Sequence, residues 1–205
     1  MSDTAPRERW DEQLPLGRWF EAVASPQPLP AGGRVASLAG AFAAALVEKI
    51  GRIVLRSPKR SALHPAAEDV AARAAAMRPL ILAVGDADDR AYAAVIAARR
   101  SGVAGSVPLR DAEVSAAQFQ LTLIEYCVEV IELAQRLEGG VGPALGADLA
   151  TAGFLARAAA EAAHGNVIVD LKELESDPRA AALRFQALAA LARVPRAAES
   201  GGPQR

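Results

Sequence analysis

The chain has 205 residues, of which 52% are hydrophobic and 23% are charged, and its formal net charge is −1. This length suits one compact domain, or two small ones, with a sizeable core. The balanced charge argues against nucleic acid as a partner, because such a partner needs a basic surface. The longest uncharged apolar stretch, residues 35–47, is too short to cross a bilayer, so we expect no membrane partner. The single cysteine and the lack of an apolar signal segment predict a cytoplasmic protein.

Alanine makes up nearly a quarter of the chain, whereas aromatic residues make up only 4%. Alanine is the best helix former, and its small side chain lets helices approach closely. The composition therefore predicts an all-α fold, and the segments described below make it an up-and-down bundle of about six helices. A thin core of small residues often gains further burial by pairing subunits, so we also expect a homodimer.

Proline and glycine divide the chain into segments in sequence order. We expect disorder at 1–13 and 196–205, a single helical domain over 14–195, and a Gly-rich linker at 101–108. The predicted helices cover approximately residues 16–24, 34–56, 65–100, 111–138, 143–164 and 177–193. Pro79 is expected to kink or divide the third helix. Residues 166–171 form the one alternating, strand-like run.

Two carboxylates interrupt apolar helix faces. On the third helix Asp88 falls within an apolar stripe, where burial would raise its pKa, whereas Asp86 points away and can pair with Arg90. If Pro79 rotated the stripe, Asp88 would instead be solvated. On the fifth helix Asp148 lies on the apolar face, where it is either functional or a cap for the helix N-terminus.

The second helix places Lys49 on an apolar stripe, which consists of Val35, Phe42, Leu46 and Ile53. Arg34, Arg52 and Arg56 border the same side. These cations either form a rail for an anionic small molecule or a solvated edge. Gly32 and Gly33 precede this helix and can expose backbone N–H groups to an anion.

Five short segments follow one another in an order that is typical of one enzyme family: residues 28–41, 86–92, 128–134, 146–152 and 165–170. They resemble the Gly-rich turn, the D-x-D stretch, the E-V-L-E-L-A helix, the S-D-x-G-V-A segment and the A-L-N-V-x-x-N segment of the cyclodeaminase/cyclohydrolase family of tetrahydrofolate enzymes. The resemblance spans approximately residues 14–194 and implies a dimeric helical fold with a folate-type ligand near the glycine turn.

The resemblance implies site residues at matching positions. Asp88 and Asp148 would be catalytic and would meet in one cleft, and no metal would be needed. Together with the cations taken from the second helix, the predicted substrate-binding residues are Gly32, Gly33, Arg34, Lys49, Arg52, Asp86 and Asn166. One acid would protonate the departing ammonia in a cyclodeaminase, whereas a cyclohydrolase would activate water.

The chain also departs from the family pattern. Ala31 stands where the family has its first turn glycine, Arg34 stands where it has serine, and the lysine cluster after the second helix is mostly absent. Three hypotheses therefore remain: a folate cyclodeaminase or cyclohydrolase, an enzyme for a different anionic small molecule, and a catalytically degenerate helical dimer that binds a partner or ligand.

Overall fold

The computed structural model describes residues 14–100 and 105–195, and within these ranges it contains six α-helices. These are α1 (Leu16–Ala24), α2 (Gly32–Leu55), α3 (His64–Arg100), α4 (Val107–Gln135), α5 (Pro143–Asp170) and α6 (Pro178–Ala192). A short 3-10 segment, Pro58–Leu63, connects α2 to α3. The all-α prediction is confirmed. The segments 1–13 and 196–205, which were expected to be disordered, lie outside the described residues.

The core lies between the four longest helices. α2 packs against α3, α4 and α5, and α4 packs against α3, α5 and α6. Small residues allow this close packing: a Cβ at Gly51 of α2 would lie 2.9 Å from the Cβ of Ala71 on α3. The short helix α1 lies outside this core and is anchored by the buried residues Trp19 and Ala22. No helix in the described ranges combines the length and apolar character that a bilayer crossing requires.

The helix boundaries differ from prediction in four helices. α2 includes Gly32 and Gly33, which were expected to precede it. α4 begins at Val107, because Pro108 occupies the first turn, where proline is favoured, and it ends earlier, at Gln135. α3 continues through Pro79 as one helix and is not divided. α5 continues through Gly165 to Asp170, so the strand-like run is helical. The expected linker is shorter than predicted, and its residues 101–104 are not described.

The predicted apolar stripe of α2 is only partly a core face, because Leu46 and Ile53 pack against the core but the other two residues do not. Val35 and Phe42 are exposed, whereas the small residues Ala36, Ala43 and Ala44 are buried. Close helix packing selects the alanine face, because only small side chains allow the neighbouring backbones to approach.

Candidate active site

The N-terminus of α2 touches two other helices at Gly33. A methyl group at this position would collide with the carboxylate of Asp88 on α3 and the side-chain amide of Gln120 on α4. Glycine is therefore needed for a close approach of side chains. Gly32, in contrast, is exposed, and a methyl group there would meet nothing within 4 Å.

Asp88 is the buried carboxylate that the helical projection predicted, with only 6% of its surface exposed. Burial raises the pKa of Asp88, while a hydrogen bond from Gln120 and the positive charge of Arg34 oppose the rise. The alternative in which Asp88 is solvated is wrong. A carboxyl group in this environment can exchange a proton closer to neutral pH than a solvated one.

Arg34 lies between two further acids rather than on an exposed rail. Its guanidinium pairs with Asp86, approaches Asp89 to 3.8 Å and donates a hydrogen bond to the carbonyl of Leu82. The guanidinium carbon also lies 5.3 Å from the centre of the Trp19 ring. The expected pairing of Asp86 with Arg90 is thus wrong, because Arg34 of α2 reaches Asp86 instead.

Asp89 adds a second buried carboxyl beside Asp88. Burial raises the pKa of Asp89 to about 6, although Arg34 and a hydrogen bond from the backbone N–H of Ala31 oppose this rise. Sequence reasoning missed Asp89, because the predicted apolar stripe of the third helix contains Asp88 but not Asp89. Both residues face the packed interior at the point where α3 passes the start of α2.

The C-terminal end of α5 brings a third acid into the electrostatic range of Asp88. Burial and the negative charges of Asp88 and Glu113 raise the pKa of Asp170 to about 7, and Arg99 opposes this rise. Glu113 of α4 is buried and its carboxylate lies 2.9 Å from the Arg99 guanidinium. We call Asp88, Asp89, Glu113 and Asp170 the acid cluster.

Three buried polar atoms in or beside the acid cluster lack hydrogen-bond partners among the described residues. They are Ser37 Oγ, Asp89 Oδ1 and Gln120 Oε1. Buried polar atoms are almost always paired in folded proteins, by water or ligand if not by protein. The unpaired atoms therefore mark the α2 N-terminus as a place where a polar molecule would be stabilised.

A cavity of about 870 Å³ adjoins the acid cluster through Glu113 and Arg99, which both line it. Its size lies within the range of small-molecule sites. The other walls come from α4 and from the segment between α5 and α6, through Leu109, Lys172 and Leu174. A ligand in this cavity would contact Glu113 directly.

Several predicted site residues lie elsewhere. Asp148 pairs with Lys49 at 2.7 Å, and both side chains are substantially exposed. Lys49 lies sixteen residues after Gly33, which corresponds to about 24 Å along α2. Because Asp148 pairs with Lys49 and Asp88 lies beside Gly33, the fold does not bring these two acids together. Arg52 lies near Lys49, on the same part of α2. Asn166 is half-buried on α5, one turn before Asp170.

A detectable signal existed for the two site residues on α4. Glu113 and Gln120 are seven residues apart and share a helix face with the apolar Ile124 and Cys127. A projection of this helix would have found both. Asp170 gave no such signal, because the helix α5 was expected to end before it.

An all-helical bundle with buried carboxyl groups of different pKa near a helix N-terminus defines a candidate acid–base site in a helical fold. The formiminotransferase-cyclodeaminase family model matches residues 15–189, so the chain belongs to this family. The structure is similar to that of formiminotetrahydrofolate cyclodeaminase from Thermotoga maritima, with a TM-score of 0.75 and 22% identity over 89% of this chain and 94% of that chain. This likeness confirms the fold. No curated protein matches the sequence significantly.

Proposed function

We propose that this protein is an enzyme of one-carbon folate metabolism, a cyclodeaminase that converts formimino-tetrahydrofolate to methenyl-tetrahydrofolate and ammonia. The acid cluster at the α2 N-terminus is the observation that carries the proposal. Membership of the family and the activity named for the Thermotoga relative support the substrate class. A cyclohydrolase, which opens the methenyl ring with water, would use the same acid–base groups.

The reaction needs one base and one acid. The N10 nitrogen of the folate adds to the formimino carbon and loses its proton, and the amino group leaves as ammonia after it gains a proton. Asp88 is suited to accept the first proton, because the Gln120 amide donates to its carboxylate. Asp170, with its pKa raised to about 7, retains a proton near neutral pH and is suited to donate the second.

Burial of the acids also limits the water around the reacting atoms. Asp88 and Gln120 are almost completely enclosed, and Gly33 lets them approach the start of α2. Proton transfer within such an enclosed site is faster than in open water only if the groups are held in position. The hydrogen bond between Gln120 and Asp88 supplies this orientation.

Arg34 favours a second candidate function, that of a helical binding protein without catalysis. Arg34 is only 3% exposed, and its ion pairs with Asp86 and Asp89 partly neutralise the acids at the α2 N-terminus. A bulky cation also stands where the resembled family has serine. An enzyme with a different anionic substrate would be consistent with the same observation.

We also propose that the protein is a homodimer. Large apolar side chains are exposed on three neighbouring helices: Leu16 and Phe20 on α1, Phe42 on α2 and Leu80 on α3. Exposed apolar side chains of this size favour a protein partner, and a second copy is always available. Sedimentation velocity measures the oligomeric state directly, and Phe42→Glu is expected to shift a dimer towards monomers.

Turnover assays with the purified full chain test the enzymatic proposal. Formimino-tetrahydrofolate and methenyl-tetrahydrofolate are supplied separately, and ammonia release and ring opening are measured. Asp88→Asn should lower turnover by about 10²–10⁴-fold while the fold is retained, because it removes an acid–base group but keeps its shape. The control is Asp69→Asn, the same change at an exposed acid of α3.

The outcomes separate the hypotheses. Ammonia release by the wild type and its loss in Asp88→Asn support the cyclodeaminase, and ring opening alone supports the cyclohydrolase. Absence of both activities, with folate binding retained in calorimetry, would favour the binding protein. Absence of folate binding would contradict the folate assignment.

A further inference from the structure

The C-terminal half of α2 and the middle of α3 surround a second, smaller cavity of about 340 Å³. We call it the cationic depression, because four of its seven lining residues carry a positive charge. The lining residues are Ala45, Glu48, Lys49, Arg52, Ile53, Arg56 and Arg78. Gly33 lies about 24 Å from Lys49 along α2, so the cationic depression is separate from the acid cluster.

One buried carboxylate holds two of these cations in position. Glu48 is only 6% exposed, and its oxygens lie 2.6 Å from Arg52 on the same helix and 3.5 Å from Arg78 on α3. The two guanidinium side chains nevertheless remain 68% and 46% exposed. Each guanidinium has five N–H donors, so most donors remain available for a ligand in the depression. Glu48 therefore orients the donors at a junction between two helices.

The positive side chains of the cationic depression outnumber the carboxylates that contact them. Lys49 pairs with Asp148. Arg56 is exposed and has no ion-pair partner within the described part of the chain. Counting Asp148, four cations face two carboxylates, an excess of two positive charges. Because the whole chain has a net charge of −1, this excess is a local property and not a general affinity for anions.

The dimensions of the cationic depression suit a small molecule. A volume of about 340 Å³ corresponds to the space of about eleven water molecules in the liquid. Such a space accommodates a compact anion. Arginine favours oxygens of phosphate and carboxylate groups, since the planar guanidinium can donate two parallel hydrogen bonds.

We propose that the cationic depression is a binding site for a small oxyanion with at least two negative charges, either a phosphate compound or a di- or tricarboxylate. This site goes beyond the proposed folate chemistry and does not depend on it. Its ligand would bridge the oriented guanidinium groups of Arg52 and Arg78 and also contact Arg56.

Isothermal titration calorimetry with two probes tests this site. Inorganic pyrophosphate represents the phosphate class and tricarballylate represents the polycarboxylate class, and acetate at matched ionic strength controls for general screening. At least one probe should bind at millimolar concentration or below, and acetate should not. Which probe binds more tightly assigns the class.

Two variants locate the binding. Arg56→Gln removes an exposed cation that has no described ion pair, so the fold should be retained, and it should weaken binding of the probe about tenfold. The double variant with Arg52→Gln should weaken binding further. Arg90→Gln is the matched control, because it removes an exposed arginine of α3 that does not line the cationic depression.

Three results would overturn the proposal. Neither probe binds, or Arg90→Gln weakens binding as much as Arg56→Gln, or Arg56→Gln changes the oligomeric state of the ligand-free protein in sedimentation. The third result would mean that these cations form a subunit contact. Turnover plays no part in the test, so its outcome is independent of the folate proposal.

Discussion

Replacement of Gly33 by alanine tests the geometry on which the acid cluster depends. The added methyl group would collide with Asp88 and Gln120, and both of these side chains are almost fully buried and have little room to move. Overpacking of this kind typically lowers the free energy of unfolding by about 1–3 kcal/mol. For a chain of this length, the expected loss corresponds to a decrease in Tm of about 2–12 °C.

The neighbouring glycine supplies the matched control. Gly32→Ala introduces the same methyl group one residue earlier, where nothing lies within 4 Å. We expect it to change the free energy of unfolding by less than about 0.5 kcal/mol. Urea unfolding of both variants measures the difference. If Gly33→Ala were no less stable than Gly32→Ala, the close approach of Asp88 and Gln120 to this turn would be wrong.

Three further substitutions test the charges. The pKa of Asp170 is raised to about 7 in the folded protein, so the folded state loses stability as pH rises from about 4 to 7. In urea unfolding, Asp170→Asn should therefore be more stable than wild type at pH 8 but not at pH 4. Arg34→Ser should lower the free energy of unfolding by about 3–5 kcal/mol, because it leaves Asp89 buried without its cation. Urea unfolding measures the change, and a loss below about 1 kcal/mol would contradict the role of Arg34 as the partner of Asp89. Asp148→Asn should lower stability by less than about 1 kcal/mol, because the pair with Lys49 is exposed, and should leave turnover within a few-fold; a hundredfold loss of turnover would show that Asp148 acts in catalysis after all.

The sequence predicted the helices better than it predicted which faces they bury. The bounds of α1 match, because prolines at 26 and 28 follow it directly. α5 extends beyond its predicted end because Val167 and Leu171 are fully buried one turn apart, and this burial outweighs the stop signal of Gly165 and Asn166. In α2, a projection that weighs large apolar residues selected Phe42, which is exposed. Packing of alanine-rich helices depends instead on close backbone approach, which hydrophobicity alone does not reveal.

The candidate site was predictable where one helix determined it. Asp88 stood out because it interrupts an apolar stripe, and its burial is confirmed. The contribution of Asp170 depends on where α5 ends and on how α5 packs against α2 and α4, which are long-range properties. Likewise, the pairing of Arg34 with Asp86 joins two helices, and no spacing within one helix predicts it.

The pH dependence of turnover in wild type and Asp170→Asn tests the central claim most directly. If Asp170 donates the proton to the departing ammonia, kcat for formimino-tetrahydrofolate should fall as pH rises through about 7, the value to which the site raises its pKa. Asp170→Asn should be slower at pH 6 and should lose this limb of the profile. A wild-type profile that stays flat between pH 5 and 9, or one that Asp170→Asn leaves unchanged, would contradict the account.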